Sequence, residues 1–198
     1  DLANGPAYFA PLGALSVNFN TACVVVGPGA ASGDDASVIL ETPSDAVRVI
    51  NKVTTSSRRA RPRLSIVRSQ RSGGRVDFKL SGSMPLGSAP SRVYRTVVDP
   101  MSHFMSVFEG HMSDRGIDVE GEHMSGDAPE GARIMARKES AALPVVLGRM
   151  NKHSSNLIAE HVLKAIGAEV HGLPGTTEGG LKSVADYLTS LGIEPEEY

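Results

Sequence analysis

The feature that most constrains this chain is a change of period near residue 140. Before that point, aliphatic and β-branched residues come in short runs broken by Gly, Pro, Ser or Asp. After it, they recur at three- and four-residue spacing. Runs of the first kind read as strands between turns, and spacing of the second kind as the buried stripe of a helix. Such a chain is α+β: a β-rich domain with one or more packed helices, then a helical segment. We divide it at 1–137 and 138–198. None of the 198 residues is Trp and only 5% are aromatic, so Val, Ile, Leu and Met must make the core.

The runs place strands at 13–18 and 21–26, joined as a hairpin through Asn18-Phe19-Asn20. Further strands are expected at 37–41, 47–54, 63–68, 75–80 and 91–98, with short ones at 117–120 and 133–137. The first helix starts with Asp99 as N-cap and Pro100 at the first helical position. Phe104, Met105, Phe108 and Met112 form its core stripe, and Gly116 ends it. A second helix opens at Leu143-Pro144 and buries Leu143, Val146, Leu147 and Met150 up to Asn151. A third begins at Ser154–Asn156, buries Ile158, Val162, Ala165 and Ile166, and stops at Gly167. The last carries Leu181, Val184, Ala185, Leu188 and Leu191 and is closed by Gly192. The segments 1–9, 27–35, 82–90 and 121–131 read as loops.

Several function classes find no support. A net charge of −2 gives no general attraction to nucleic acid or membrane. No apolar run approaches the ~20 residues that span a bilayer. Cys23, the single cysteine, lies in ACVVV and reads as a buried core residue. The histidines are His103, His111, His123, His153, His161 and His171. They form neither HExxH nor a Cys/His zinc spacing, and no metal or cofactor is expected. The Gly27-Pro28-Gly29 loop lacks a phosphate-binding glycine pattern and reads as a plain turn.

The stretch from Lys52 to Arg75 holds eight cations and no acid. It reads either as a patch for an anionic polymer or as the solvated outer face of a meander whose edges are guarded by charge. No aromatics interleave the cations to stack on bases, so nucleic acid is not the expected partner.

Ser154-Ser155-Asn156 also has two readings. Ser and Asn at a helix start are ordinary N-capping residues. The same triplet is S-x-N, the second motif of serine enzymes that are acylated by penicillin-type substrates. There, one turn projects a hydroxyl that relays a proton and a carboxamide that binds the substrate's peptide group.

Longer segments bear on that choice. They are YFAPLGALSVNFN (8–20), VDFKLSGSMPLGS (76–88), the Asp99–Gly116 helix followed by GIDVEG (116–121), and KESAALPVVLGRMNKHSSNLIAEHVLKAIG (138–167). Together they resemble the middle of a class C low-molecular-mass penicillin-binding protein, the D-alanyl-D-alanine carboxypeptidase/endopeptidase family. That family has S-D-N or S-x-N followed by an apolar pair, Ala and an acid; here the string is SSNLIAE. The resemblance makes Ser154 the motif serine and Asn156 the motif asparagine.

The chain departs from the family pattern in two places. No serine has a lysine three residues on, so S-x-x-K is missing, and the nearest string to K-T-G is Lys182-Ser183-Val184. The chain also begins at Asp1 rather than Met. We therefore expect an internal piece of a longer enzyme, inactive alone. The resemblance implies that the whole enzyme cleaves D-Ala-D-Ala or a cross-link in peptidoglycan peptides through a serine ester. It implies inhibition by penicillins, no metal or cofactor, and a periplasmic or extracytoplasmic location. The alternative expectation is a non-catalytic module that binds an anionic polymer through the Lys52 to Arg75 stretch.

Overall fold

The structure, a computed structural model, describes residues 5–121, 126–127 and 129–197. His123, residues 1–4 of the expected lead-in and part of the 121–131 loop lie outside the described residues. The chain forms two compact units, Asp1–Ala132 and Arg133–Tyr198. Its class is α+β, as the change of period predicts.

Among the described residues the first unit holds six strands: β1 (Thr21–Gly27), β2 (Ser37–Leu40), β3 (Val47–Ser56), β4 (Arg63–Gln70), β5 (Val76–Pro85) and β6 (Ser91–Thr96). They make two three-stranded sheets. The first has the order β2-β1-β6, and both of its pairs are antiparallel. Its middle strand is buried along nearly its whole length, which is why it reads as an unbroken valine run.

The second sheet has the order β3-β5-β4. β3 runs parallel to β5, with Val47 opposite Val76, and β4 runs antiparallel to it, with Ile66 opposite Leu80. On β5, Val76, Phe78, Leu80 and Met84 are buried, while Lys79 and Ser81 between them are exposed. These apolar residues share one core with Ala22, Val24 and Val26 of β1. Arg68 of β4 reaches across to β6, donating to Thr96 Oγ1 at 2.8 Å and to the Val97 carbonyl at 3.4 Å.

Helix α1 (Pro100–Ser113) follows β6. Asp99 caps it as expected: its carboxylate accepts the Met101 N–H at 3.0 Å and the Ser102 hydroxyl at 2.6 Å.

In the second unit, α2 (Leu143–His153), α3 (Asn156–His171) and α4 (Thr177–Ser190) follow one another. Gly167 of α3 and Gly180 of α4 are the buried glycines that let these two helices touch backbone to backbone. A methyl on Gly167 would stand 2.6 Å from Gly180 N, and one on Gly180 would lie against the Leu163 carbonyl.

Several expectations are corrected. Residues 13–18 are not a strand. Asn18, Phe19 and Asn20 all take left-handed backbone in a 3-10 turn, which breaks any hairpin there. β5 continues to Pro85 through the expected loop, because Gly82 (φ +115°) fits against the Arg63 carbonyl where no side chain could. Residues 117–120 and 133–137 form no strand; each lacks a partner among the described residues.

On α1 the buried side chains are Pro100, His103 and Val107, not the Phe/Met stripe. Phe104 and Phe108 instead stack on each other, ring centres 6.2 Å apart, with Phe108 exposed. Gly167 does not stop α3, which runs on to His171, because this glycine serves helix contact and not termination. Of the residues expected to be buried on the last three helices, Leu143, Ala165, Ile166, Leu181, Val184 and Leu191 are exposed.

Candidate functional site

The turn between α2 and α3 gives Ser154 and Ser155 different tasks. Ser155 is the N-cap of α3; its hydroxyl accepts the Ile158 N–H at 3.4 Å and its carbonyl the Ala159 N–H at 3.1 Å. Ser154 closes α2 instead. It sits in left-handed backbone (φ 49°, ψ 49°), and the next amide, Ser155 N–H, returns to the Met150 carbonyl at 3.0 Å. This is the position where helices ordinarily place glycine or asparagine. A serine there carries a backbone cost of about 1–2 kcal/mol. The side chain is exposed, and its hydroxyl bonds no described residue.

Asn156 follows as the first residue of α3, also exposed. The capping explanation therefore belongs to Ser155 and leaves Ser154 without a structural task for its hydroxyl. The turn thus carries a hydroxyl and a carboxamide two residues apart, both neutral hydrogen-bonding groups. They supply no strong base or activated nucleophile.

Five histidines lie among the described residues, and His111 sits in the last turn of α1. His153 ends α2. His161 donates Nδ1–H to the Leu157 carbonyl at 2.8 Å, one turn back on its own helix. His171 Nε2 meets Ser183 Oγ at 3.2 Å. His103 is fully buried; its Nδ1 lies 3.0 Å from Ser44 Oγ, and its Nε2 has no partner among the described residues. Burial pushes its pKa down. Among the described residues, no group of three or more His, Cys, Asp or Glu could hold a metal.

Cys23 is a buried core residue, as its apolar setting predicts. Burial, then the neighbouring Glu41 carboxylate, raise its thiol pKa, so it is held as a thiol and not as a nucleophilic thiolate. Sequence reading missed one ion cluster: buried Asp77, bonded by Arg48 at 2.6 and 2.9 Å, with Arg71 at 3.6 Å. Hydrogen bonds from Arg48 hold the Asp77 carboxyl below the usual carboxylate range. Arg48 and Asp77 become neighbours only through the parallel pairing of β3 with β5, which no local pattern announces.

With the fold and this turn in view, comparison with known proteins gives the class. The sequence profile of the D-Ala-D-Ala carboxypeptidase 3 (S13) family matches residues 2–198, and the chain belongs to that family. It is 31% identical over 196 residues to the D-alanyl-D-alanine carboxypeptidase of Actinomadura sp. (strain R39), covering 95% of this chain and 36% of that protein. Two crystal structures of penicillin binding protein 4 from Haemophilus influenzae share its fold at 18% identity. One, complexed with a β-lactam, superposes with a TM-score of 0.67 over 92% of this chain; the other with 0.72 over 95%. In both cases the chain spans 41% of the Haemophilus protein. The low-molecular-mass penicillin-binding-protein resemblance read from the sequence is thus correct.

Proposed function

We propose that this chain is part of a serine-type D-Ala-D-Ala carboxypeptidase/endopeptidase that acts on peptidoglycan peptides through an acyl-enzyme. The observation that carries the reading is the division of the turn. Ser155 caps α3, while Ser154 occupies a strained position with its hydroxyl exposed beside Asn156. Strain held at one non-glycine residue of a tight turn is a mark of functional positioning. Ser154 then relays a proton near the nucleophile and leaving amine, and Asn156 binds the peptide group of the substrate. The nucleophile and its activating lysine, in S-x-x-K, and the K-T-G strand lie outside these 198 residues.

The exposed aliphatic residues of the second unit agree with this. Leu143, Val145, Ile166, Leu181 and Leu191 would be covered in a complete catalytic domain. The enzyme works outside the cytoplasmic membrane. No described helix is long and apolar enough to cross one.

A fluorescent penicillin tests the reading. The 198-residue chain alone should not be labelled, whereas the intact protein should be. In the intact protein, Ser154→Ala and Asn156→Ala should each slow acylation by about 10²–10³-fold. Ser155→Ala should leave acylation near the parent rate and lower stability by about 1 kcal/mol. Labelling of the lone chain, or full acylation by Ser154→Ala, would overturn the assignment.

A further inference from the structure

The chain's charge is divided very unevenly. Ten of its 20 Lys and Arg lie between Val47 and Pro85, where Asp77 is the only acid, and the other 21 Asp and Glu lie elsewhere. Arg58, Arg59, Arg61 and Arg75 lie between strands, and the fold sorts the other six cations into two groups. Arg48 and Arg71 hold Asp77, and Arg68 turns inward to Thr96. Lys52, Arg63 and Lys79 have no salt bridge among the described residues, and all three are exposed.

These three stand on one face. Residues alternate sides along a strand, and the buried residues of β5 (Phe78, Leu80) fix which side is inner. Lys79 therefore points outward with Ser81 and Ser83. Register places Lys52 and Ser65 on either side of Ser81, and Thr54 and Arg63 on either side of Ser83. With strands about 4.8 Å apart and alternate residues about 6.7 Å apart along a strand, Lys79 lies ~8 Å from Lys52 and ~14 Å from Arg63 at the backbone. The one acid on this face, Asp77, is buried beneath its two arginines and adds no exposed negative charge.

We propose that the outer face of the β3-β5-β4 sheet binds a linear phosphodiester polymer of the cell wall. Three cations without a salt bridge among the described residues, with Thr54, Ser65, Ser81 and Ser83 between them and Ile50 and Val67 on either side of Lys79, complement the charge of successive phosphates. The face shows no aromatic ring on which bases could stack, which separates this partner from single-stranded nucleic acid. The choice of a wall polymer rests on the extracytoplasmic placement proposed above.

The test measures binding of the intact protein to immobilised poly(glycerol phosphate) across a salt series starting near 50 mM. Binding should weaken with salt. The triple variant Lys52→Gln/Arg63→Gln/Lys79→Gln should bind about tenfold or more weakly and lower the slope of log affinity against log salt by about 2. Arg92→Gln, on the other sheet, should bind like the parent. If the triple variant does not fold, Lys52→Gln/Arg63→Gln, which leaves the central strand untouched, should give a smaller loss in the same direction.

No binding at low salt, or a folded variant with unchanged affinity and slope, would overturn the proposal. So would equal or tighter binding to single-stranded DNA or to anionic phospholipid vesicles. Penicillin labelling should be the same in parent and variants, so a failed polymer test and a failed peptidase reading remain distinguishable.

Discussion

Two glycines inside neighbouring helices should respond to the same substitution with opposite sign. Gly167 lies within α3 and Gly148 within α2. Replacing a mid-helix glycine by alanine removes backbone freedom from the unfolded chain and stabilises the helix by about 0.5–1 kcal/mol. At Gly148 nothing lies within 4 Å of the new methyl, so Gly148→Ala should collect that gain. At Gly167 the methyl meets Gly180 N at 2.6 Å and both Gly179 C and the Thr176 carbonyl oxygen at 3.0 Å. All three are backbone atoms, so relief requires moving the start of α4. Forcing a methylene-sized group into such a contact costs about 1–3 kcal/mol. The clash outweighs the helical gain, and Gly167→Ala should be destabilised by about 1–2 kcal/mol. Urea unfolding of the intact protein and of each variant measures this. The midpoints should shift in opposite directions at constant slope. If Gly167→Ala shifted upward together with Gly148→Ala, the close approach of α3 and α4 would be wrong.

Two further outcomes follow from groups in the first unit. Burial depresses the His103 pKa, so its neutral form contributes stability that is complete above about pH 6.5, the unfolded value, and is lost as pH falls through the folded pKa. The urea midpoint should fall between about pH 7.5 and 5 and fall less in His103→Gln; equal pH dependence would remove His103 as the cause. Asp99→Ala should cost about 1 kcal/mol by leaving the Met101 N–H of α1 uncapped, and Asp99→Asn should recover most of it, as thermal unfolding would show.

The strands were legible where β-branched residues were dense: β1, β3 and β6 fall where alternation and turn residues place them. Alternation does not reveal partners. The parallel pairing of β3 with β5, with β4 on the far side, depends on contacts across the chain and was not readable. Glycine misled twice, for one physical reason. Gly82 and Gly167 read as breaks, yet each marks a place where another backbone comes too close for a side chain. Asn18 to Asn20 misled in the other direction, since ordinary side chains adopt the left-handed backbone that removes the expected strand. At the candidate site, the triplet and its position between two helices were legible. Which serine caps was not, because either spacing satisfies the capping rule.

The two adjacent serines of the α2–α3 turn carry a lesson for tolerated variation. Helix initiation is assigned to Ser155 alone, so the middle position of S-x-N answers to the demands of a helix start. Ser, Thr, Asp and Asn are interchangeable there on physical grounds. An aspartate at this position gives S-D-N, which needs no separate catalytic explanation. The triplet thus sets a folding signal, Ser155, between the two residues for which a catalytic role is proposed above.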